Sequence, residues 1–181
     1  LIVSPHNSFS ALSRLIDTEI ENSKSGKPSG IDLKLNNVSN YQIIEKLYQA
    51  SQAGVKIRMI VRGICCLIPG VKGLSENIEV ISILDRFLEH PRVFIFQNSG
   101  DKKVYISAAD FMTRNLKSRV EVSCPIYDPD LQDEIIDVFK ISWNDNVKSR
   151  TINLNNQNRL KKGKVVLNRS QWKTYEYYKK K

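Results

Sequence analysis

Residues 31–61 constrain the fold more tightly than any other stretch of this chain. Ile31-Asp32-Leu33-Lys34-Leu35 alternates apolar and polar side chains, the pattern of a half-exposed strand. Ser39-Asn40-Tyr41-Gln42 follows as a helix-capping sequence, and Ile43, Ile44, Leu47 and Tyr48 supply one buried helical stripe. Gly54 sits where a helix closes on a glycine, and residues 55–61 return to the β-branched composition of a strand. The alternation extends on both sides. Leu1-Ile2-Val3 reads as a strand already in progress, which predicts a chain cut from a longer polypeptide. Asn7 or Ser8 caps a helix that carries Phe9, Leu12, Leu15, Ile16 and Ile20 and is ended by Gly26 and Pro28. Residues 78–84 and 120–126 are further strand candidates. Asp128-Pro129-Asp130 opens another helix, with a capping carboxylate followed by proline in the first turn. Its expected buried face is Leu131, Ile135, Val138 and Phe139, with Trp143 extending it. Strands alternating with helices predict an α/β layered domain.

Residues 86–115 add an antiparallel part. An apolar run at 93–96, a turn at Asn98-Ser99-Gly100 and a second run, Val104-Tyr105-Ile106, read as a hairpin, so the sheet is mixed. A hairpin brings its flanks together. His90 and the polar cluster of Ser107, Asp110, Arg114 and Asn115 are therefore expected on one rim, where an imidazole beside an arginine suits an anion. Arg62 ends an apolar strand and precedes Gly63. Ligands of α/β sheets bind beyond the carboxyl ends of strands, and glycine permits close backbone approach there. A guanidinium in that place can grip phosphate oxygens through two parallel hydrogen bonds. The competing readings are an ion pair at the sheet edge for Arg62 and a ring bonded to a backbone carbonyl for His90. Ser107 has no evident base and is not read as a nucleophile.

The 181 residues are enough for one substantial core, and no apolar run approaches the roughly 18 residues that cross a bilayer. Cys65, Cys66 and Cys124 make a poor disulfide framework and lack metal-ligand spacing, so reduced, buried thiols are expected. The net charge of +9 is uneven: residues 150–181 hold ten Lys or Arg against the single acid Glu176, and the rest is balanced. The chain divides accordingly into a domain at 1–149 and a basic tail at 150–181. The tail is rich in asparagine (Asn153, Asn155, Asn156, Asn158) and turns amphipathic around residues 165–167. Its aromatic group, Trp172, Tyr175, Tyr177 and Tyr178, is expected to dock it. The basicity points to a polyanionic partner.

Several separated segments, in order, resemble bacterial polyphosphate kinase. They are Ser4-Pro5-His6-Asn7, Gly26-Lys27-Pro28-Ser29-Gly30, Leu33-Lys34-Leu35-Asn36, Ile60-Val61-Arg62-Gly63 and Leu74-Ser75-Glu76-Asn77-Ile78. Arg86-Phe87-Leu88-Glu89-His90 and the run from Val104-Tyr105-Ile106-Ser107 through Ala108-Ala109-Asp110-Phe111 to Met112-Thr113-Arg114-Asn115 complete the set. The resemblance implies a phospholipase D-like layered domain, the last of a multidomain enzyme that reversibly transfers the terminal phosphate of ATP to polyphosphate. It implies ATP-phosphate contacts by Arg62 and His90, with His90 catalytic and Arg114 a further phosphate contact. It places the phosphohistidine and the Mg2+ ligands in a preceding domain absent here, which leaves this piece inactive alone. Partners so implied are ATP, ADP, polyphosphate, the preceding domains and further copies of the full-length chain, in a bacterial cytoplasm or at its membrane.

Phe9 and Phe111 depart from the usual residues of the family. The phospholipase motif His-x-Lys with a later Asp is also broken, since Arg92 replaces the lysine and no Asp stands five residues on. That argues against a second reading, a phosphodiesterase built from two half-sites. The remaining alternative is a non-catalytic basic module for polyanions or nucleic acid, working through the tail.

Overall fold

The computed structural model describes residues 1–155, 159–161 and 166–181. In chain order the elements are β1 (Ile2–Ser4), α1 (Ser8–Lys24), β2 (Ile31–Leu35), α2 (Tyr41–Gln52), β3 (Ile57–Val61), β4 (Ile78–Ile83) and β5 (Arg92–Phe96). A 3-10 turn at Asn98–Gly100 leads to β6 (Lys103–Ser107), α3 (Thr113–Lys117), β7 (Glu121–Ile126), α4 (Pro129–Trp143), β8 (Ser149–Ile152), β9 (Arg159–Leu160) and α5 (Ser170–Lys179). The strands form one mixed sheet in the order β1-β7-β6-β5-β2-β3-β4-β8-β9. β2, β3 and β4 are parallel and every other pairing is antiparallel.

Local signals fix the element ends. Asn40 caps α2 by accepting from the Ile43 N–H at 3.0 Å. Gly54 follows at φ 90°, in the left-handed region that favours glycine. Asp128 caps α4, with Pro129 in the first turn. The proposed cap of α1 differs: the Asn7 side chain turns back to accept from the Val3 N–H at 2.7 Å.

Helices cover both faces. On one, Leu12 and Ile16 of α1, Ile43 and Leu47 of α2 and Leu116 of α3 meet Leu33, Met59 and Phe94. On the other, Ile136, Phe139 and Trp143 of α4 meet Ile60, Ile81, Ile95 and Val104. This second cover corrects the reading of β2 as half-exposed: all five of its residues are buried. Its polar members are paired instead. Asp32 takes two bonds from Arg58, at 2.6 and 2.5 Å, and Lys34 pairs with Glu89. The Arg58 guanidinium lies 5.6 Å from the Phe139 and Trp143 ring centres, so aromatic rings flank a charged pair whose arginine stays partly exposed.

Three other expectations change. Leu131 is exposed and Ile136 takes its place on the buried face of α4. Cys66 and Cys124 are exposed and only Cys65 is partly buried, with its thiol pushed up to about 11 by burial. After residue 150 the chain is not a free tail in its described parts, because β8 pairs with β4 and α5 packs on α4. The aromatics of α5 carry that docking only in part: Trp172 and Tyr175 are exposed, Tyr177 is half-buried, and Tyr178, though exposed, donates through its hydroxyl to Glu134 of α4 at 3.0 Å. Asn156, Asn158 and Val165 lie outside the described residues. No helix among the described residues is long and apolar enough to cross a membrane.

Candidate active site

β2 and β3 end, and β5 begins, at the same rim of the sheet. The hairpin register opposes Arg92 to Ser107, which brings the segment after β6 to that rim as well. The result is a cleft of about 580 Å3 lined by Arg62, His90, Asp110, Arg114, Asn115 and Arg119, among others. The structure thus gathers Arg62, His90 and the Ser107–Asn115 cluster expected from sequence.

Asp110 organises the cleft. Its Oδ1 accepts from the Asn36 N–H at 2.8 Å, the Asn37 N–H at 3.2 Å and Arg92 Nε at 3.1 Å. Its Oδ2 accepts from Asn37 Nδ2 at 3.0 Å and Arg92 Nη2 at 3.1 Å. Burial alone would raise this carboxyl. The bonds from Arg92, Asn37 and the two backbone N–H groups outweigh it and hold the group below the ordinary aspartate range.

Arg92 is therefore buried and neutralised, and it turns its remaining nitrogen to His90. Nη1 lies 2.8 Å from His90 Nδ1 and 3.4 Å from Nε2, and donates to the His90 carbonyl at 3.0 Å. One nitrogen this near to both ring nitrogens lies against the flank of the imidazole. The lysine-to-arginine departure thus becomes a fork that ties His90 to Asp110. The carboxylate is 18 residues further on instead of five.

Arg62 is set differently. Its Nε donates to Asn36 Oδ1 at 2.6 Å, and among the described residues it pairs with no carboxylate. Its positive charge faces the cleft unneutralised. Asn36 also accepts from the Gly63 N–H at 2.8 Å through its carbonyl. A Cβ on Gly63 would stand 2.6 Å from Asn37 Oδ1 and 2.9 Å from the Asn36 carbonyl oxygen, so only glycine fits this approach. Arg114 is exposed at the start of α3 and also lines the cleft.

Ser107 is occupied structurally: its Oγ bonds Ser123 Oγ at 2.7 Å and accepts from the Ala109 N–H at 3.0 Å. Asn36 and Asn37 went unread in the sequence, although an asparagine pair directly after a strand is a usable signal for backbone tethering. Asp110 does not fit Mg2+. Both oxygens of Asp110 are taken by donors, and no trio of His, Cys, Asp or Glu suited to a metal occurs among the described residues.

A mixed sheet between helical layers, with an arginine-lined cleft beyond the ends of β2 and β3, is a phospholipase D-like fold. Nuc from Salmonella typhimurium, a phospholipase D family member, matches with TM-score 0.61 over 83% of this chain and 95% of its own at 15% identity, a likeness of fold alone. The family is narrower than the fold. The model described as polyphosphate kinase C-terminal domain 2 matches residues 1–171, and the chain belongs to that family. Polyphosphate kinase of Vibrio parahaemolyticus is 52% identical over 99% of this chain, which spans 26% of that relative. The crystal structure of polyphosphate kinase from Porphyromonas gingivalis matches at 43% identity and TM-score 0.95, over 98% of this chain and 28% of its own. The chain thus spans about a quarter of the relatives it matches.

Proposed function

We propose that this chain supplies one half of the phosphoryl-transfer site of a polyphosphate kinase, acting on ATP and a growing polyphosphate chain. The observation that carries the reading is the state of Arg62. A structural arginine at a sheet edge would be matched by an acid; here a neutral asparagine orients the guanidinium and leaves its charge for an anion. Charge-assisted hydrogen bonds of this kind contribute about 1.5–3 kcal/mol each.

In this reading Arg62 binds the ATP phosphates and offsets charge that develops on the equatorial oxygens during transfer. His90, held by Arg92 and Asp110, donates a hydrogen bond or proton to the transferring group or to the leaving ADP. Arg114 is a further phosphate contact in the cleft. The nucleophilic histidine and the Mg2+ ligands belong to the preceding domains of the full-length chain. Two observations support this part of the reading: His90 is the one histidine lining the cleft, and donors occupy both oxygens of Asp110.

Two or three such contacts leave only about 4 kcal/mol after association costs, which corresponds to millimolar affinity. The isolated chain is expected to bind ATP at that level, to lose most of the binding in Arg62→Ala, and to make no polyphosphate. Isothermal titration and a radiolabelled ATP assay measure these. Polyphosphate synthesis by the isolated chain would exclude a divided site.

A further inference from the structure

We infer that α5, although outside the cleft, positions His90 by clasping the loop that carries it. The loop is the 84–91 connection between β4 and β5. Its large side chains do not hold it: Leu84, Phe87 and Leu88 are 63%, 57% and 75% exposed. Outside the strands, no backbone-to-backbone hydrogen bond among the described residues involves 84–91. Its conformation rests on polar tethers, and most of these come from the first turn of α5 and the residue before it.

Arg169 grips Asp85 with two bonds, Nε to Oδ2 at 2.8 Å and Nη2 to Oδ1 at 2.6 Å. The Asp85 side chain is only 2% exposed and that of Arg169 34%, so a half-exposed arginine grips a buried acid through two bonds. Gln171 engages the backbone of Phe87 in both directions. Its Oε1 accepts from the Phe87 N–H at 3.0 Å and its Nε2 donates to the Phe87 carbonyl at 2.8 Å. The same Nε2 reaches Glu89 Oε1 at 3.0 Å, and the other oxygen of Glu89 pairs with Lys34 of β2. His90 is the next residue.

The clasp is itself fixed to the domain. Asp145, fully buried after α4, accepts from the Ser170 N–H at 2.7 Å and from the N–H groups of Val147, Lys148 and Ser149 at 2.9, 2.7 and 3.0 Å. Asn146 and Asn168 exchange bonds of 3.0 and 2.8 Å. A continuous set of tethers therefore runs from α4 through the start of α5 to the residue before His90. Arg62 and Arg114 sit on β3 and α3, and no tether from α5 reaches them. Loosening the clasp should therefore disturb the step that uses His90 more than the binding of ATP phosphates. Arg169 and Gln171 are positioning residues, and the inference rests on His90 acting in the transfer step.

The test uses the full-length protein, with steady-state kinetics, thermal unfolding and amide hydrogen exchange. Gln171→Ala is expected to lower kcat about tenfold or more, with KM for ATP within about twofold and the melting temperature nearly unchanged. Exchange should quicken in 84–91 and not in 57–62. Asp85→Ala and Arg169→Ala should each lower kcat, and the double variant should be no worse than either, because both remove one contact. Glu176→Gln, further along α5, should change neither kcat nor exchange. A Gln171→Ala enzyme with near-normal kcat overturns the inference, as does a loss of kcat matched by a general loss of stability and faster exchange throughout. His90→Ala separates this from the underlying reading. If His90→Ala is inactive while Gln171→Ala is normal, the clasp fails and the site stands. If His90→Ala is active, the site itself is wrong, whatever the exchange shows.

Discussion

Asp110 accepts five hydrogen bonds, and through them one carboxylate fixes the Asn36–Asn37 backbone and the guanidinium beside His90. Removing one partner of a buried pair strands the other charge. Asp110→Ala should therefore cost about 3–5 kcal/mol, read as a lowered urea midpoint at constant slope. Gly63→Ala should act on function more than on stability. The added methyl meets Asn37 Oδ1 and the Asn36 carbonyl, so Asn36 must shift and carry Arg62 with it. A loss of ATP affinity in a protein that still melts cooperatively is the expected result. Asp145 gives a pH prediction. Burial would raise this carboxyl, but the N–H groups of Ser170, Lys148 and Val147 outweigh it and lower it below its ordinary value, about 3.9. Folded Asp145 thus binds a proton less readily than the unfolded chain does. Its contribution is complete above about pH 4 and is lost as pH falls through the lowered folded value. Parent and Asp145→Asn should differ most in stability near neutrality and converge in acid. Comparison at each pH matters because buried Glu19, raised by its burial, has the opposite sign.

At the scale of elements, the sequence was most legible where chemistry is local. Caps, turns and apolar stripes placed α1, α2, α4 and the β5–β6 hairpin within a few residues. Asn40→Ala tests one such signal: losing its bond to Ile43 should cost about 1 kcal/mol by thermal unfolding. What stayed hidden depends on partners distant in sequence. Alternation in β2 looked like one wet face, but α4 covers that face and Arg58 and Glu89 satisfy Asp32 and Lys34. β8 is polar and joins the sheet through its backbone, so no hydrophobic period announces it. α5 has little apolar periodicity and is seated by Asp145, Asn146 and Asp85. Arg92 read as a broken motif because its acid comes from beyond the next strand. The cleft followed the same division. The hairpin predicted that His90 and the Ser107–Asn115 cluster meet, while the bonds that join Asp110 to Arg92 and Asn36 to Arg62 link residues distant in sequence and appear only in three dimensions.

For the whole molecule, the charge asymmetry looks different once the contacts are known. Two cations of the basic segment face acids of the 1–149 domain, Arg169 on Asp85 and Lys181 on Glu134, and Lys173 faces Glu176 within the segment, so its charge is not simply available to a polyanion. Arg62, which lines the cleft with His90, pairs with no carboxylate among the described residues. The chain spans about a quarter of the curated relatives it matches, and its cleft holds an oriented histidine together with that arginine. On the reading proposed above, it is half of a site completed by the rest of the polypeptide. The most direct test is ATP-dependent polyphosphate synthesis by the full-length enzyme carrying His90→Ala or Arg62→Ala, with folding checked by thermal unfolding. Each substitution should lower the rate by about a hundredfold or more. Near-normal synthesis by either folded variant would contradict the account.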